Sequence, residues 1–220
     1  MNQNWVLPVA SHLGSGLLVT LLVASLTILL ATGLGIVIGV ASSLTSPLTR
    51  KLLRVYIDVF RGVPSLITLL FVFFSLPQIG LSTGPITASV LGLGLWGAAN
   101  IAENVRGALN SISDKQTEAA RALGLGKLST MVFVILPQAV RRFLPPYIGE
   151  LTVLIQASAL TSVAGVTDLL GAARQMIERL AYMTTDSHAV EIYIAVLAIF
   201  FVICYPFTLL ADYLDRRLRG

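Results

Sequence analysis

Three polar residues stand together in a long apolar stretch: Asn100, Glu103 and Asn104. At helical spacing they share one face. Two amides and a carboxylate supply donors and acceptors for the ammonium or the carboxylate of a ligand. A carboxylate beside hydrocarbon is costly unless it is paired or lines a wet cavity. The alternative reading pairs Glu103 with Arg106 at i,i+3, near the end of its helix. Arg61 could also meet a carboxylate, but a structural pair with Asp58, three residues earlier, is expected for it. A second polar region runs from Ser113 to Pro146. Ser113 and Gln116 have capping-box spacing, so a helix is expected to start there. Gly124 suits its C-terminal cap. Ala119, Ala120 and Ala122 keep this helix thin, and Leu123 gives it an apolar edge. A second short helix is expected over Lys127 to Ile135, stopped by Pro137. A small, semi-apolar helix is what a groove on a partner accepts. The competing reading is an amphipathic helix lying on lipid.

Other chemistry is not supported. His12 and His188 are too isolated for a metal pair, and no catalytic set of paired acids, clustered histidines or a serine with a base lies in any span. Gly92 to Gly97 matches G-x-G-x-x-G but has no preceding strand, so helix packing explains it better than a dinucleotide. No G-x-x-x-x-G-K-[ST] is present, so the chain is not expected to hold ATP itself. Cys204 is the single cysteine, which excludes an internal disulfide.

The elements that must position these residues are membrane spans. The 220-residue chain is 55% hydrophobic and only 12% charged, against about a quarter charged in soluble domains. No Asp, Glu, Lys or Arg precedes Arg50, so the start lacks the basic region of a cleaved signal peptide. The first span is expected over about 14–41, roughly 42 Å of helix and enough to cross a ~30 Å core. Gly35 and Gly39 in it form a small-xxx-small pair that favours a close helix contact. The 41 uncharged residues between Arg61 and Glu103 are too many for one span. Two are expected, about 52–76 and 86–109, divided at the Pro- and Gly-rich turn from Leu76 to Pro85, with Pro64 bending the entry to the first of them. Pro145 and Pro146 are expected to open a fourth span over 146–163, interrupted only by Glu150. A fifth follows over 190–210. The stretch 164–189 reads as an external loop with a short helix from about Asp168 to Leu180. Its acids Asp168, Glu178 and Asp186 are expected to be solvated. The stretch 110–145 is a cytoplasmic loop.

Thirteen of the Lys and Arg residues fall on one side of these spans and two, Arg174 and Arg179, on the other. The positive-inside bias puts the 110–145 loop and the C-terminus in the cytoplasm and the N-terminus outside. An odd number of spans is required, and five satisfies it. The fold class is thus an all-α membrane protein with five transmembrane helices. The basic residues flank spans, which argues against nucleic acid as a partner.

Glu118-Ala119-Ala120, followed by Gly124 six positions after the glutamate and Leu136-Pro137 ending nineteen after it, resembles the EAA loop of ABC importer permeases. Val134 stands where isoleucine is common. Phe60-Arg61-Gly62-Val63-Pro64, Ala102 to Gly107, Gln116 to Gly124 and Leu136 to Arg142 narrow the likeness to the polar amino acid permeases of the histidine/glutamine/arginine type. The resemblance covers roughly Gly16 to Arg219 and implies a type I ABC importer permease fold. It implies a permease subunit of an ATP-driven importer in the bacterial inner membrane, surrounded by lipid. Two such subunits, identical or related, would line the path for a polar amino acid. A cytoplasmic ATPase dimer would dock under Glu118, Ala119, Ala120, Arg121, Gly124, Leu136 and Pro137. An external binding protein would deliver the substrate. ATP and Mg would belong to the ATPase partner, so this chain carries no cofactor and is not itself an enzyme. The resemblance also makes Glu103 a substrate contact. Where many relatives have Lys-Asp-Thr-Ser-Leu, this chain has Gln156-Ala157-Ser158-Ala159-Leu160. Ala157 cannot anchor a cation, so with Ser158 beside it the substrate leans towards a neutral or acidic amino acid. A secondary, ion-coupled transporter is the rival, but it calls for an internal repeat that is not evident.

A tag at Met1 is expected to react with an impermeant reagent in intact cells, and one at Gly220 only after lysis. The reverse pattern would overturn the orientation.

Overall fold

The computed structural model describes residues 5–44, 46–183 and 186–218. Its elements are helices throughout. Helix α1 (Val6–Leu44) is followed by α2 (Pro47–Gly62), α3 (Ser65–Gln78) and α4 (Pro85–Asn110). Two short helices come next, α5 (Asp114–Ala122) and α6 (Lys127–Thr130). A π-turn (Met131–Ile135) leads into α7 (Leu136–Ala157). A 3-10 turn (Ser158–Ala164) precedes α8 (Leu169–Met183) and α9 (Ala189–Leu218). Four stretches are long and apolar enough to cross a membrane, and the bent pair α2–α3 can make a fifth.

Helix α4 is the centre of the bundle. It packs against α1, α2, α3 and α7, and it is the most enclosed of the spans. Its small residues make that possible. A Cβ at Gly35 of α1 would come within 2.7 Å of Ile101 Cβ, and one at Gly39 within 2.6 Å of Val105 Cβ. The small-xxx-small pair therefore sets the distance between α1 and α4. The glycines of the G-x-G-x-x-G run do the same for other neighbours: Gly92 faces Leu69, Gly94 Leu30 and Gly97 Leu154. Around this axis a central cluster of Ala31, Ile101, Val105 and Leu154 ties α1, α4 and α7 together. The outer faces of α1 and α9 carry exposed Leu18, Leu29, Val37, Leu197 and Val202. Apolar side chains on outward faces suit contact with lipid.

Two expectations change at prolines. The helix expected over 52–76 is broken: α2 and α3 meet at 108°. Pro64 pushes Val63 out of the helical region to φ −100°, ψ 135°. Helix α2 is then an amphipathic helix carrying Arg50, Lys51, Arg54, Asp58 and Arg61, with Ile57 buried. Its Tyr56 hydroxyl donates to the Leu95 carbonyl at 2.7 Å, fastening it to α4. The second change is in the charged region. Pro137 does not stop a helix and Pro145-Pro146 do not open one. Pro137 lies at the start of α7 directly after the π-turn, and the two later prolines sit inside the same helix. The π-turn before Leu136 joins α6 to α7 without a stop.

Residues 164–183, expected to begin a solvated loop, instead carry a packed helix. Helix α8 packs its Leu169, Ala172, Ala173, Met176 and Leu180 against Val9 and Leu13 of α1 and Ile192 and Val196 of α9. Asp168 is fully buried there. Its Oδ1 accepts from Gly171 N at 2.8 Å at the start of α8, and Thr20 of α1 accepts from Leu169 N at 2.9 Å. Burial pushes the Asp168 carboxyl up to about 6, partly offset by its backbone hydrogen bonds. Glu178 and Asp186 are exposed as expected.

Gly39→Ala forces α1 away from backbone as well as side chain, since Ala102 O lies 2.7 Å from the added Cβ. It is expected to cost about 1–3 kcal/mol, read as a lower melting temperature in detergent. Gly33→Ala meets open space and is expected to leave it unchanged. For Asp168 the folded carboxyl binds its proton more tightly than the unfolded one. Stability is therefore expected to fall as pH rises from about 4 to about 6. Asp168→Asn, which keeps an oxygen for Gly171 N–H, is expected to remove that part of the pH slope.

Candidate functional site

Helix α4 ends in two turns that carry Glu103, Asn104 and Arg106; Glu103 and Asn104 face α7 and the last turns of α9, while Arg106 lies on the side of Ser42, Arg50 and Arg54. Between the three helices lies a cleft of about 900 Å³, lined by Glu103, Asn104, Ser111, Arg141, Arg142, Pro145, Pro146, Asp212 and Asp215 among others. Pro145 and Pro146 shape its wall. Without N–H groups they leave the Arg141 and Arg142 carbonyls lacking their α-helical donors, beside a space water can enter.

Glu103 is held by two arginines. Arg106 Nε donates to its Oε2 at 2.7 Å, and Arg106 Nη2 donates to Oε1. Arg61 Nη1 stands 3.8 Å from the same Oε1. The i,i+3 pair is therefore present, while Arg61 turns to Glu103 of α4 and not to Asp58. The 108° bend brings this about, because it turns the end of α2 onto α4. Asn100 shares the face of Glu103 but its amide donates back to Trp96 O at 3.1 Å. Asn104 is half-buried in the cleft wall.

Ala157 and Ser158 lie apart from this cluster. From Pro146 to Ala157 is roughly 16 Å along α7. Ala157 packs with Leu69, Leu93 and Ala164, and the buried Ser158 hydroxyl donates to Ile155 O at 2.7 Å. Glu150 was noticeable in the sequence only as the lone acid of its span. It is half-buried on α7, and its Oε1 is enclosed without a hydrogen-bond partner. A charged side chain at mid-membrane costs roughly 2.5–3.5 kcal/mol or more, so the lone acid was itself the signal.

The second site is the surface made by α5 and α6. Ser113 precedes α5 as its N-cap residue, but its hydroxyl makes no cap bond; Gln116 N donates to the Ser113 carbonyl at 2.9 Å instead. The C-terminus closes as the sequence suggests. Gly124 adopts φ +80°, Gly124 N donates to Arg121 O at 2.9 Å, and Leu125 N to Ala120 O at 3.0 Å. That pair of bonds is a Schellman closure, which favours glycine at the left-handed position. Ala120 is buried, whereas Glu118, Ala119, Arg121, Gly124, Leu136 and Pro137 are exposed. Leu123, Leu128 and Phe133 stand out as exposed apolar side chains on the same segment. An open, mainly apolar recess of about 440 Å³ lies between Thr117, Arg121, Leu128 and Met131. Arg142 Nη1 donates to Ser111 O, fastening α7 to the turn before α5. Among the described residues no group of three or more metal-ligating side chains occurs.

Residues 31–220 match the family described as Binding-protein-dependent transport system inner membrane component. The chain is 37% identical to the probable amino-acid ABC transporter permease protein YckA of Bacillus subtilis (strain 168), over 74% of this chain and 70% of that one. It is 31% identical to the probable glutamine ABC transporter permease protein GlnP of the same organism, over 94% of each. The crystal structure of an amino acid ABC transporter with histidines superposes with a TM-score of 0.86 at 30% identity, covering 99% of this chain and 100% of that one. The bundle, the family match and these relatives together identify the chain as a multi-pass membrane permease belonging to the binding-protein-dependent transport system inner membrane component family of ABC importers.

Proposed function

We propose that this chain is the permease subunit of an ATP-driven importer for polar amino acids, with the α4–α7–α9 cleft as the cytoplasmic end of its path. The observation that carries this reading is the continuity of the exposed α5–α6 surface with α7. Force applied at α5 reaches the cleft wall through the Arg142–Ser111 contact and through α6, the π-turn and α7. An ATPase dimer in the cytoplasm docks on Glu118, Ala119, Ala120, Arg121, Gly124, Leu136 and Pro137 and holds the ATP and Mg. A second permease subunit completes the path, and an external binding protein supplies the substrate. The N-terminus lies outside and the C-terminus in the cytoplasm.

Glu103 and Asn104 form the polar end of the cleft where substrate passes, with Arg61 3.8 Å from Glu103 and Asn100 on the same face of α4. Relatives named for glutamine support a polar amino acid. Ala157 and Ser158 are buried away from this cluster, so the lean towards a neutral or acidic amino acid rests on Ala157 standing where many relatives carry an aspartate. Glu103 keeps Arg106 in place while contributing its face to the path. Alternating access then follows from tilting α7 against α4, a rigid-body change between two packed states.

Gly124→Asp places a side chain on a left-handed backbone in the docking surface. It is expected to lower the amount of ATPase that co-purifies at least severalfold while membrane insertion is unchanged; full recovery of the ATPase would count against docking there. Glu103→Gln is expected to reduce uptake in reconstituted vesicles several-fold with assembly intact. Uptake and substrate profile at the wild-type level would remove Glu103 from the path. Uptake driven by an ion gradient, without ATP or an ATPase partner, would replace the importer with a secondary transporter.

A further inference from the structure

We infer that an arginine-lined cavity between the ends of α1 and α4 and the start of α2 binds a phosphate group, that of an anionic phospholipid. The cavity shares no lining residue with the α4–α7–α9 cleft, so its occupant does not depend on what passes through the cleft.

The cavity has a volume of about 240 Å³ and is lined by Ser42, Ser43, Arg50, Arg54, Arg106 and Asn110. Arg50 and Arg54 stand one turn apart on α2, and the fold brings Arg106 of α4 to them. No acid belongs to the lining. Glu103 balances Arg106 from outside it, through Nε and Nη2, and Asp58, the acid of α2, is exposed and also outside. Arg54 has no hydrogen bond or ion pair among the described residues. The cavity therefore carries an excess of positive charge. The Ser42 and Ser43 hydroxyls already donate to Gly39 O, at 2.7 and 3.3 Å. Binding thus falls to the guanidiniums and the Asn110 amide, and a guanidinium fork matches two oxygens of a phosphate.

The shape of α2 sets the depth of the cavity. Leu48, Leu52, Val55 and Val59 are exposed and recur at i, i+4, i+7 and i+11, a continuous apolar stripe. Arg50, Lys51, Arg54, Asp58 and Arg61 occupy the other side. The 108° bend keeps this helix out of line with α3. A helix divided in this way lies at the membrane boundary, its stripe in the hydrocarbon and its cations at the level of the headgroups. Basic pockets between membrane helices at that level suit anionic headgroups. A phosphatidylglycerol headgroup keeps the full negative charge of its phosphodiester. A choline headgroup would bring a second cation to a cavity already in positive excess.

The test uses the purified permease–ATPase complex, delipidated in a neutral detergent. It is offered equal amounts of dioleoylphosphatidylglycerol and dioleoylphosphatidylcholine in mixed micelles, and native mass spectrometry counts the lipid retained. The wild type is expected to retain phosphatidylglycerol in at least tenfold excess. Arg54→Gln, at an exposed side chain, is expected to lower that preference at least fivefold with the ATPase still bound, and Arg54→Lys to keep part of it. Lys51→Gln removes a neighbouring charge outside the cavity and is expected to leave the preference unchanged. A wild type without the preference overturns the site, as does Arg54→Gln at the wild-type ratio. Equal losses in Lys51→Gln and Arg54→Gln would make the effect one of general surface charge and overturn it too. If Arg54→Gln loses lipid together with the ATPase, Arg54 is structural and the site falls. Inorganic phosphate replacing chloride at equal ionic strength separates the two sources of phosphate. Retained phosphatidylglycerol supports the lipid, and its displacement by phosphate alone would make the cavity a site for the free anion and overturn the lipid.

Discussion

Hydrocarbon offers no hydrogen bonds, so a spanning chain must satisfy its polar groups from within. That constraint orders most of what is seen here. Three hydroxyls buried in the bundle turn back to their own helices, Ser42 to Gly39 O, Ser158 to Ile155 O and Thr161 to Ser158 O, each at 2.7 Å, whereas those of Thr27 and Ser89 are enclosed without a partner. Where a polar pair crosses between helices, it joins elements that must stay in register. Thr32 and Tyr147 meet at 3.0 Å between α1 and α7, and Tyr56 holds α2 against α4. Such bonds add modestly to packing in membranes, on the order of 0.6 kcal/mol each. The close approach of α1 and α4 therefore depends first on glycine.

The same constraint explains why the charges gather at one end of α4. Arg106 lies one turn from Glu103 and neutralises it within the helix, which lets the pair sit partly enclosed. Arg61 joins from another helix, so the cluster also records how α2 meets α4. Any movement of the α2–α3 elbow must change the Arg61–Glu103 contact, and any movement of α7 must change what faces it across the cleft. The polar end of the cleft is therefore sensitive to the relative positions of three helices.

Much of this was legible in the chain. Hydropathy and the placement of basic residues define the all-α bundle and its spans, because lipid tolerates little else. The Glu118–Gly124–Pro137 spacing identifies the family, and Gly124 reads directly as a left-handed cap. The prolines were harder. Pro64 was read as a bend but not as a 108° elbow, since sequence gives the break and not the angle that packing selects. Pro137, Pro145 and Pro146 were read as punctuation, yet a π-turn and a cleft accommodate them inside one helical run. Arg61 was assigned to Asp58 because local spacing is visible and a contact across a bend is not. Asp168 looked like a loop acid until α8 folded over it. Ser113 has the spacing of a capping box, but its hydroxyl does not close it.

The π-turn from Met131 to Ile135 has a geometric consequence. A residue added to an α-helix advances the following side chains by about 100° around the axis. The faces of α6 and of α7 are thus offset in phase from those of a straight helix spanning the same residues. Shortening this turn by one residue would rotate the α6 end relative to the span by about that angle while changing its length by only ~1.5 Å. Azimuth, more than reach, is what this short segment fixes, and it decides which side chains the α5–α6 surface presents when the bundle moves.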